Sequence, residues 1–245
     1  MSKRTQRARS AEDLRTSPWV IAGIVGIAVL VVAVLIRASA QPEAQVTAPD
    51  LAVLQGVPRG LSEEGFPYLG SPEAKVVIVT FEDLRCPFCQ AEFLETEPQV
   101  MAQFVKPGLV RIESRMIAIL GSASVAAGEA LRCAGEQDKY WEYRHTFFAN
   151  QPEESILPGR VTFVQFAQLA GVGDPDKFTT CFDSQKYRAE VERTNQAAQQ
   201  VGVNSTPSFI INGQLYAGKM PFLSAGAQSG FKDILEAALA AANGP

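Results

Sequence analysis

Histidine is almost absent from this sequence: His145 is the only one among 245 residues. With only four cysteines beside it, few side chains remain that could ligate a soft metal. Positive charge is also limited. Lys and Arg total 22 against 26 Asp and Glu, for a net charge of −4. The body of the chain has no long basic run, so it lacks the electrostatic footprint of a nucleic-acid binder. No internal repeat is visible. The hydrophobic share of 47% and charged share of 20% are those of an ordinary globular chain, long enough for one well-buried domain plus extras.

The first 40 residues stand apart. Residues 19–36, WVIAGIVGIAVLVVAVLI, form an uncharged apolar run. As a helix this run is roughly 27 Å long, enough to cross the hydrocarbon core of a bilayer. Lys3, Arg4, Arg7, Arg9 and Arg15 precede it, and Arg37 is the only base for about twenty residues after it. This bias puts 1–17 in the cytoplasm, an anchor at 18–37, and everything beyond outside. A buried core helix fits the basic flank poorly. A cleaved signal peptide competes more strongly, because Ala38-Ser39-Ala40 has the form of a cleavage site, although the run is longer than a usual signal core. On either reading the rest of the chain works outside the cytoplasm, where disulfides persist.

Residues 38–69 read as an extracytoplasmic linker, in which Val53, Leu54, Phe66 and Tyr68 are too few to build a core. From Lys75 the pattern changes. KVVIVTF is a buried strand. The stretch from Cys86 is a helix broken or restarted at Pro98, and 109–119 is a second strand. A helix-rich block follows to about 200. Then SFIINGQLYAG (208–218) is a hairpin turning at Asn212-Gly213, and 226–241 is a closing amphipathic helix. The order is α/β with a helical insertion at about 121–200 inside a domain spanning 70–243.

Cys86 and Cys89 are separated only by Pro87 and Phe88, at the junction of the first strand and its helix. A thiolate at a helix N-terminus is stabilised by unpaired N–H groups and the helix dipole, so its pKa falls. Cys89 lies one turn deeper on the same face. Pro87 costs little in the first turn. The spacing suits reversible exchange, with Cys86 attacking and Cys89 resolving. Two other uses of the pair remain. Half a zinc site needs a second ligand pair, and Cys133, Cys181 and His145 do not form one in sequence. An inert staple within one helical turn is strained.

The pair CPFC after a strand, the stretch QDKYWEYRHTFFANQ at 137–151, and NSTPSFIING at 204–213 together resemble the DsbA-like branch of the thioredoxin fold. The resemblance runs from about Gly65 to the C-terminal helix. It implies a thioredoxin fold with a helical insertion, before which the apolar run 19–36 reads as a single transmembrane helix. It also implies that Pro207 is cis and faces the active-site pair, and that the backbone of Thr206 pairs with a substrate peptide. Two departures stand out. Relatives commonly bury an acid six residues before the first cysteine, where this chain has Thr80. Glu82, on the same strand face, is either its substitute or a solvated strand-end residue. Many strongly oxidising relatives have histidine where Phe88 stands. Arg85 is a candidate partial replacement. The Cys86 pKa is therefore expected between about 7 and about 3.5, the thioredoxin-like and DsbA-like values.

Outside the cytoplasm, the two cysteines left over point to a second disulfide, Cys133–Cys181, the alternative being two buried free thiols. Some relatives have a similar non-catalytic bridge. On the chain-entropy model it would stabilise by about 4 kcal/mol. His145 is assigned no role. The expected activity is extracytoplasmic thiol–disulfide exchange that introduces disulfides into exported proteins or peptides bearing thiols, with no organic cofactor and no metal. The resemblance implies a quinone-linked membrane protein for reoxidation. A reductase or isomerase of the same fold is the alternative. A tethered copper chaperone is the alternative from another class, although it would want a wider cysteine spacing and a distal histidine.

Overall fold

A computed structural model describes residues 18–39, 46–151 and 158–244. The basic residues of 1–17 and the cleavage site at Ala40 lie outside them. The chain divides into two units, one up to Gln45 and the other from Val46 onward. In the first, α1 (Pro18–Ser39) is a helix whose side chains are described as far as Val32. Among the described residues, no helix is long and apolar enough to cross a membrane.

The second unit is built on one six-stranded sheet in the order β1-β2-β4-β3-β5-β6. Its centre is β3 (Val76–Glu82), parallel to β4 (Val110–Met116) in a register running from Val76↔Val110 to Glu82↔Met116. The crossover between them is α2 (Pro87–Glu95), α3 (Glu97–Val100) and one wide π turn over Met101–Val105. Pro98, without an N–H to donate, sits at the restart, where it costs least. On the other side of β3, β5 (Ser208–Ile211) runs antiparallel and pairs with the edge strand β6 (Gln214–Ala217). Their turn uses Asn212 and Gly213, both at positive φ (51° and 76°), as a two-residue hairpin of right-handed twist requires.

The linker expected over 38–69 is corrected from Val46 onward. β1 (Arg59–Leu61) and β2 (Pro67–Leu69) form a hairpin, and β2 extends the sheet along the free edge of β4. Leu54, Val57 and Leu69 are buried in the main core. Strands of three residues are too short to show alternation. Their support is instead cross-strand: the Arg115 guanidinium lies 3.9 Å from the Phe66 ring centre, and that of Arg111 lies 5.2 Å from Tyr68. Gly70 lets the chain leave β2. Its φ is +122°, and a Cβ there would meet the Arg111 backbone at 2.8 Å.

Between β4 and β5 lie α4 (Ser122–Gly135), α5 (Tyr140–Ala149), α6 (Arg160–Leu169), α7 (Pro175–Asp183) and α8 (Arg188–Gln200). Tyr143, Phe147, Phe163, Phe166, Phe178 and Phe182 make a chain of ring contacts at 5.1–6.4 Å between centres. Cys133 on α4 and Cys181 on α7 are joined by a disulfide. The closing helix, α9 (Phe231–Ala242), sets Phe231 edge-on against Phe209 of β5.

One charged group ties the insertion to the sheet. Arg144 of α5 is fully buried. Its Nε and Nη2 donate to Glu82 at 2.9 and 2.6 Å, and its Nη1 and Nη2 donate to Glu97 at 2.9 and 2.5 Å. The solvated strand-end reading of Glu82 is thus wrong. Its side chain is 2% exposed, because a cation from a distant helix reaches over the end of β3. Burial pushes the Glu82 carboxyl up against the downward pull of Arg144. Arg144→Met leaves two carboxylates facing each other with no cation, and should cost about 3–5 kcal/mol. Without the cation, nothing offsets the burial that pushes the Glu82 carboxyl up above its unfolded value. The lost stability is then recovered at low pH and grows as pH rises. Denaturant unfolding across the carboxyl range checks this, and equal stability of variant and parent at neutral pH refutes it.

Candidate active site

Cys86 is the N-cap of α2, with extended backbone (φ −78°, ψ 120°), and Pro87 is the first helical residue. β3 ends four residues earlier, so the thiol is held between the carboxyl end of a central strand and the start of a helix. Its backbone closes both sides: the Cys86 N–H donates to the Asp83 carbonyl at 2.9 Å. In turn the N–H groups of Cys89 and Gln90 donate to the Cys86 carbonyl at 3.1 Å. Gln151 adds a side-chain clamp, donating to the carbonyls of Leu84 at 2.6 Å and Cys86 at 3.1 Å.

Both thiols are free and both are buried, Cys89 completely. The Thr206–Pro207 bond is cis, and the Cys86 thiol donates to the Thr206 carbonyl at 3.3 Å. The structure therefore brings Cys86, Cys89, Thr206 and Pro207 together from segments 120 residues apart. Phe88 projects outward at 64% exposure beside the thiol. Arg85 is buried in the same segment and its N–H donates to Asp83.

The two sulfurs have opposite electrostatic surroundings. Cys86 is pulled down to about 6, mainly by the Cys89 sulfhydryl that hydrogen-bonds it, with help from the Thr206 side chain and the first N–H groups of α2, against the cost of burial. Cys89 is pushed up, first by burial, then by serving as that donor and by the charge of Glu82. Such a pair can carry one reactive thiolate and one reserve thiol near neutral pH, the arrangement that thiol–disulfide exchange requires.

Thr80, at the position where relatives bury an acid, is itself buried, and its hydroxyl donates to the Glu113 carbonyl at 3.4 Å. The acids close in sequence to the pair are Glu82, Asp83 and, further along α2, Glu92, each pushed up by burial, Glu92 to about 8. His145 is buried on α5, its Nδ1 3.0 Å from the Trp141 carbonyl, and burial lowers it to about 3. Among the described residues, no group of three or more His, Cys, Asp or Glu is placed to hold a metal ion. Reading by residue spacing missed Arg144, Asp83 and Gln151. Arg144 and Gln151 lie in the aromatic stretch 137–151, but their contacts with Glu82 and Leu84 span more than 60 residues.

The thioredoxin family model matches residues 62–227. Disulfide bond formation protein D of Bacillus subtilis is 25% identical over 156 residues, covering 62% of this chain and 69% of that one. Among solved structures, oxidised BdbD of B. subtilis superposes with a TM-score of 0.62 at 21% identity, covering 75% of this chain and 98% of that one. Reduced DsbA of Mycobacterium tuberculosis gives 0.52 at 25% identity, over 76% and 99%.

The Cys86 environment predicts a thiolate titrating near pH 6. Ultraviolet absorbance of the reduced protein should show one thiolate appearing with a midpoint near 6, and Cys86→Ser should abolish it. A first midpoint above about 8, the ordinary cysteine range, would refute the activated state. Because the folded pKa is depressed, the stability it lends the reduced form is complete above the ordinary cysteine value of about 8.5. That contribution is lost as pH falls through about 6.

Proposed function

This chain belongs to the thioredoxin family, among its DsbA-like thiol–disulfide oxidoreductases, and we propose that it introduces disulfides into exported proteins from a membrane tether. Cys86 is the exchanging sulfur and Cys89 the resolving one. The observation that carries the reading is the pairing of a depressed Cys86 with a fully buried Cys89, opposite the cis Thr206–Pro207 bond. A substrate thiolate attacks Cys86 of the oxidised pair, a mixed disulfide forms, and a second substrate thiol releases it. The Thr206 backbone is the strip along which the substrate lies, and Phe88 borders it.

Energetics supports the oxidising direction. Lowering the Cys86 pKa stabilises the reduced form relative to the disulfide, which makes the couple more oxidising. A value near 6, between the thioredoxin-like and DsbA-like limits of about 7 and 3.5, supports an intermediate potential. The couple is expected between about −270 and −120 mV, by equilibration with glutathione, and a Cys89→Ser variant should accumulate substrate joined through Cys86. A potential at or below the thioredoxin value would favour the reductase reading instead. Absence of any Cys86-linked species would end the proposal.

The tether rests on the sequence alone, the apolar run 19–36 and its basic flank, since among the described residues, which carry the side chains of α1 only to Val32, no helix is long and apolar enough to cross a membrane. In this reading 1–17 is cytoplasmic, 18–37 spans the membrane, and the domain from Val46 onward is extracytoplasmic, next to a quinone-linked membrane protein that reoxidises it. Mass spectrometry of the protein purified from membranes should find residues before Ala40 retained. A mature chain starting at Gln41 would replace the anchor with a signal peptide.

A further inference from the structure

Asp83 lies between the end of β3 and the start of α2, and none of its surface is exposed. Every polar atom it has is engaged. Its carbonyl accepts from the Cys86 N–H at 2.9 Å. One carboxylate oxygen accepts from the Arg85 N–H at 2.8 Å, and the other from the N–H groups of Ile119 and Leu120 at 2.9 and 3.2 Å. Its own N–H points at Cys89 Sγ, 3.5 Å away. The loop holding Ile119 and Leu120 is fixed from its other side: Asn195 of α8 accepts from the Ala118 N–H at 2.7 Å and donates to its carbonyl at 2.9 Å. Carboxylate and amide thus form one rigid link from α8, through the loop after β4, to the inner sulfur.

We propose that the Asp83 N–H is the donor that receives the negative charge appearing on Cys89 when the disulfide opens, and that the Asp83 carboxylate is the positioning group that aims it. The inference rests on the reading of Cys86 as the attacked sulfur. A substrate thiolate, its proton already lost to solvent, forms a bond to Cys86 Sγ. The Cys86–Cys89 bond breaks, and its electron pair leaves on Cys89 Sγ. The unit charge has moved from substrate sulfur to a sulfur with no exposed surface, which takes up one proton afterwards. A leaving thiolate of high pKa departs slowly, and burial makes Cys89 such a group. A fixed N–H at its position acts as a preorganised oxyanion donor does, lowering the barrier without reorganisation at the moment of reaction.

The experiment compares two steps in the full-length protein. The first is opening of the oxidised pair by a small thiol, in which Cys89 leaves. The second is release of a small-thiol mixed disulfide from Cys86 in a Cys89→Ser background, in which Cys86 leaves. Asp83→Ala should slow the first by about tenfold and leave the second unchanged. The loss is smaller than the ~10²–10³ of a deleted oxyanion donor because the N–H remains and only its aim is lost. Asp83→Asn keeps the side-chain shape and one acceptor oxygen. It should fold if the alanine variant does not, and should fall between parent and alanine. The Cys86 absorbance midpoint should stay near its parental value in both, since its donors lie on α2, Cys89 and Thr206. Equal slowing of both steps, or no slowing of the first, overturns the inference. Attack mapped to Cys89 instead of Cys86 would overturn the underlying reading, and peptide mapping of the mixed disulfide separates the two failures.

Discussion

The structure depends on the buried guanidinium of Arg144. Arg144 is the largest side chain with no exposed surface, and it bridges Glu82 at the end of β3 to Glu97 at the start of α3. Taking a guanidinium and two carboxylates out of water costs several kcal/mol per ion, and only close bidentate geometry recovers it. The rings of Phe93, Trp141 and Phe148 surround the same guanidinium at 5.1–5.6 Å, adding cation–π attraction in a desolvated site. An ion pair of this kind contributes specificity of placement. It permits one seating of α5 against the strand that carries the cysteine pair, because any other leaves a buried charge unpaired.

Two sulfurs one helical turn apart would otherwise be near-equivalent nucleophiles. What separates them is depth and charge. Cys86 faces N–H donors and a hydrogen-bonding partner, whereas Cys89 faces dense packing and the Glu82 carboxylate. The asymmetry acts at each step of exchange. It makes Cys86 a good leaving group when a second substrate thiol resolves the mixed disulfide. It also keeps Cys89 protonated, so that its attack on the mixed disulfide, which would return the substrate reduced, is slow. The arrangement therefore gives the two sulfurs different parts in thiol–disulfide exchange.

Much of this was legible in the chain itself. The β-branched run before Cys86, the Asn212-Gly213 turn and the Pro207 entry to β5 are local signals, and local signals survive without coordinates. Cys133 and Cys181 were visible as an even pair in a helical block, although their proximity depends on how α4 packs on α7. β1 and β2 were not legible, because three-residue strands carry no periodicity and gain their stability from the edge of β4. The charge network was illegible for another reason. Glu97 and Arg144 look like ordinary surface residues, Glu82 could be read as buried or solvated, and only tertiary packing reveals that the three share one desolvated site. Asp83 was hidden in the same way, since its partners at 119 and 120 are backbone groups, which have no sequence signature.

The substitution of Thr80 for a buried acid takes on meaning in this setting. An unpaired carboxylate beneath the resolving thiol would bear a full charge in a medium that screens it weakly. Here Glu82, two residues further along the strand, is paired with Arg144, which Glu97 also draws upon. With both carboxylates ionised, one cation serves two anions and a net charge of −1 remains in the triad. That remainder is the charge that Cys89 feels through Glu82, and its size depends on how the guanidinium is shared. The helical insertion therefore does more than cover the sheet. Through Arg144 it shapes the charge beside the inner sulfur, whose thiol is pushed up first by burial and then by Cys86 and Glu82.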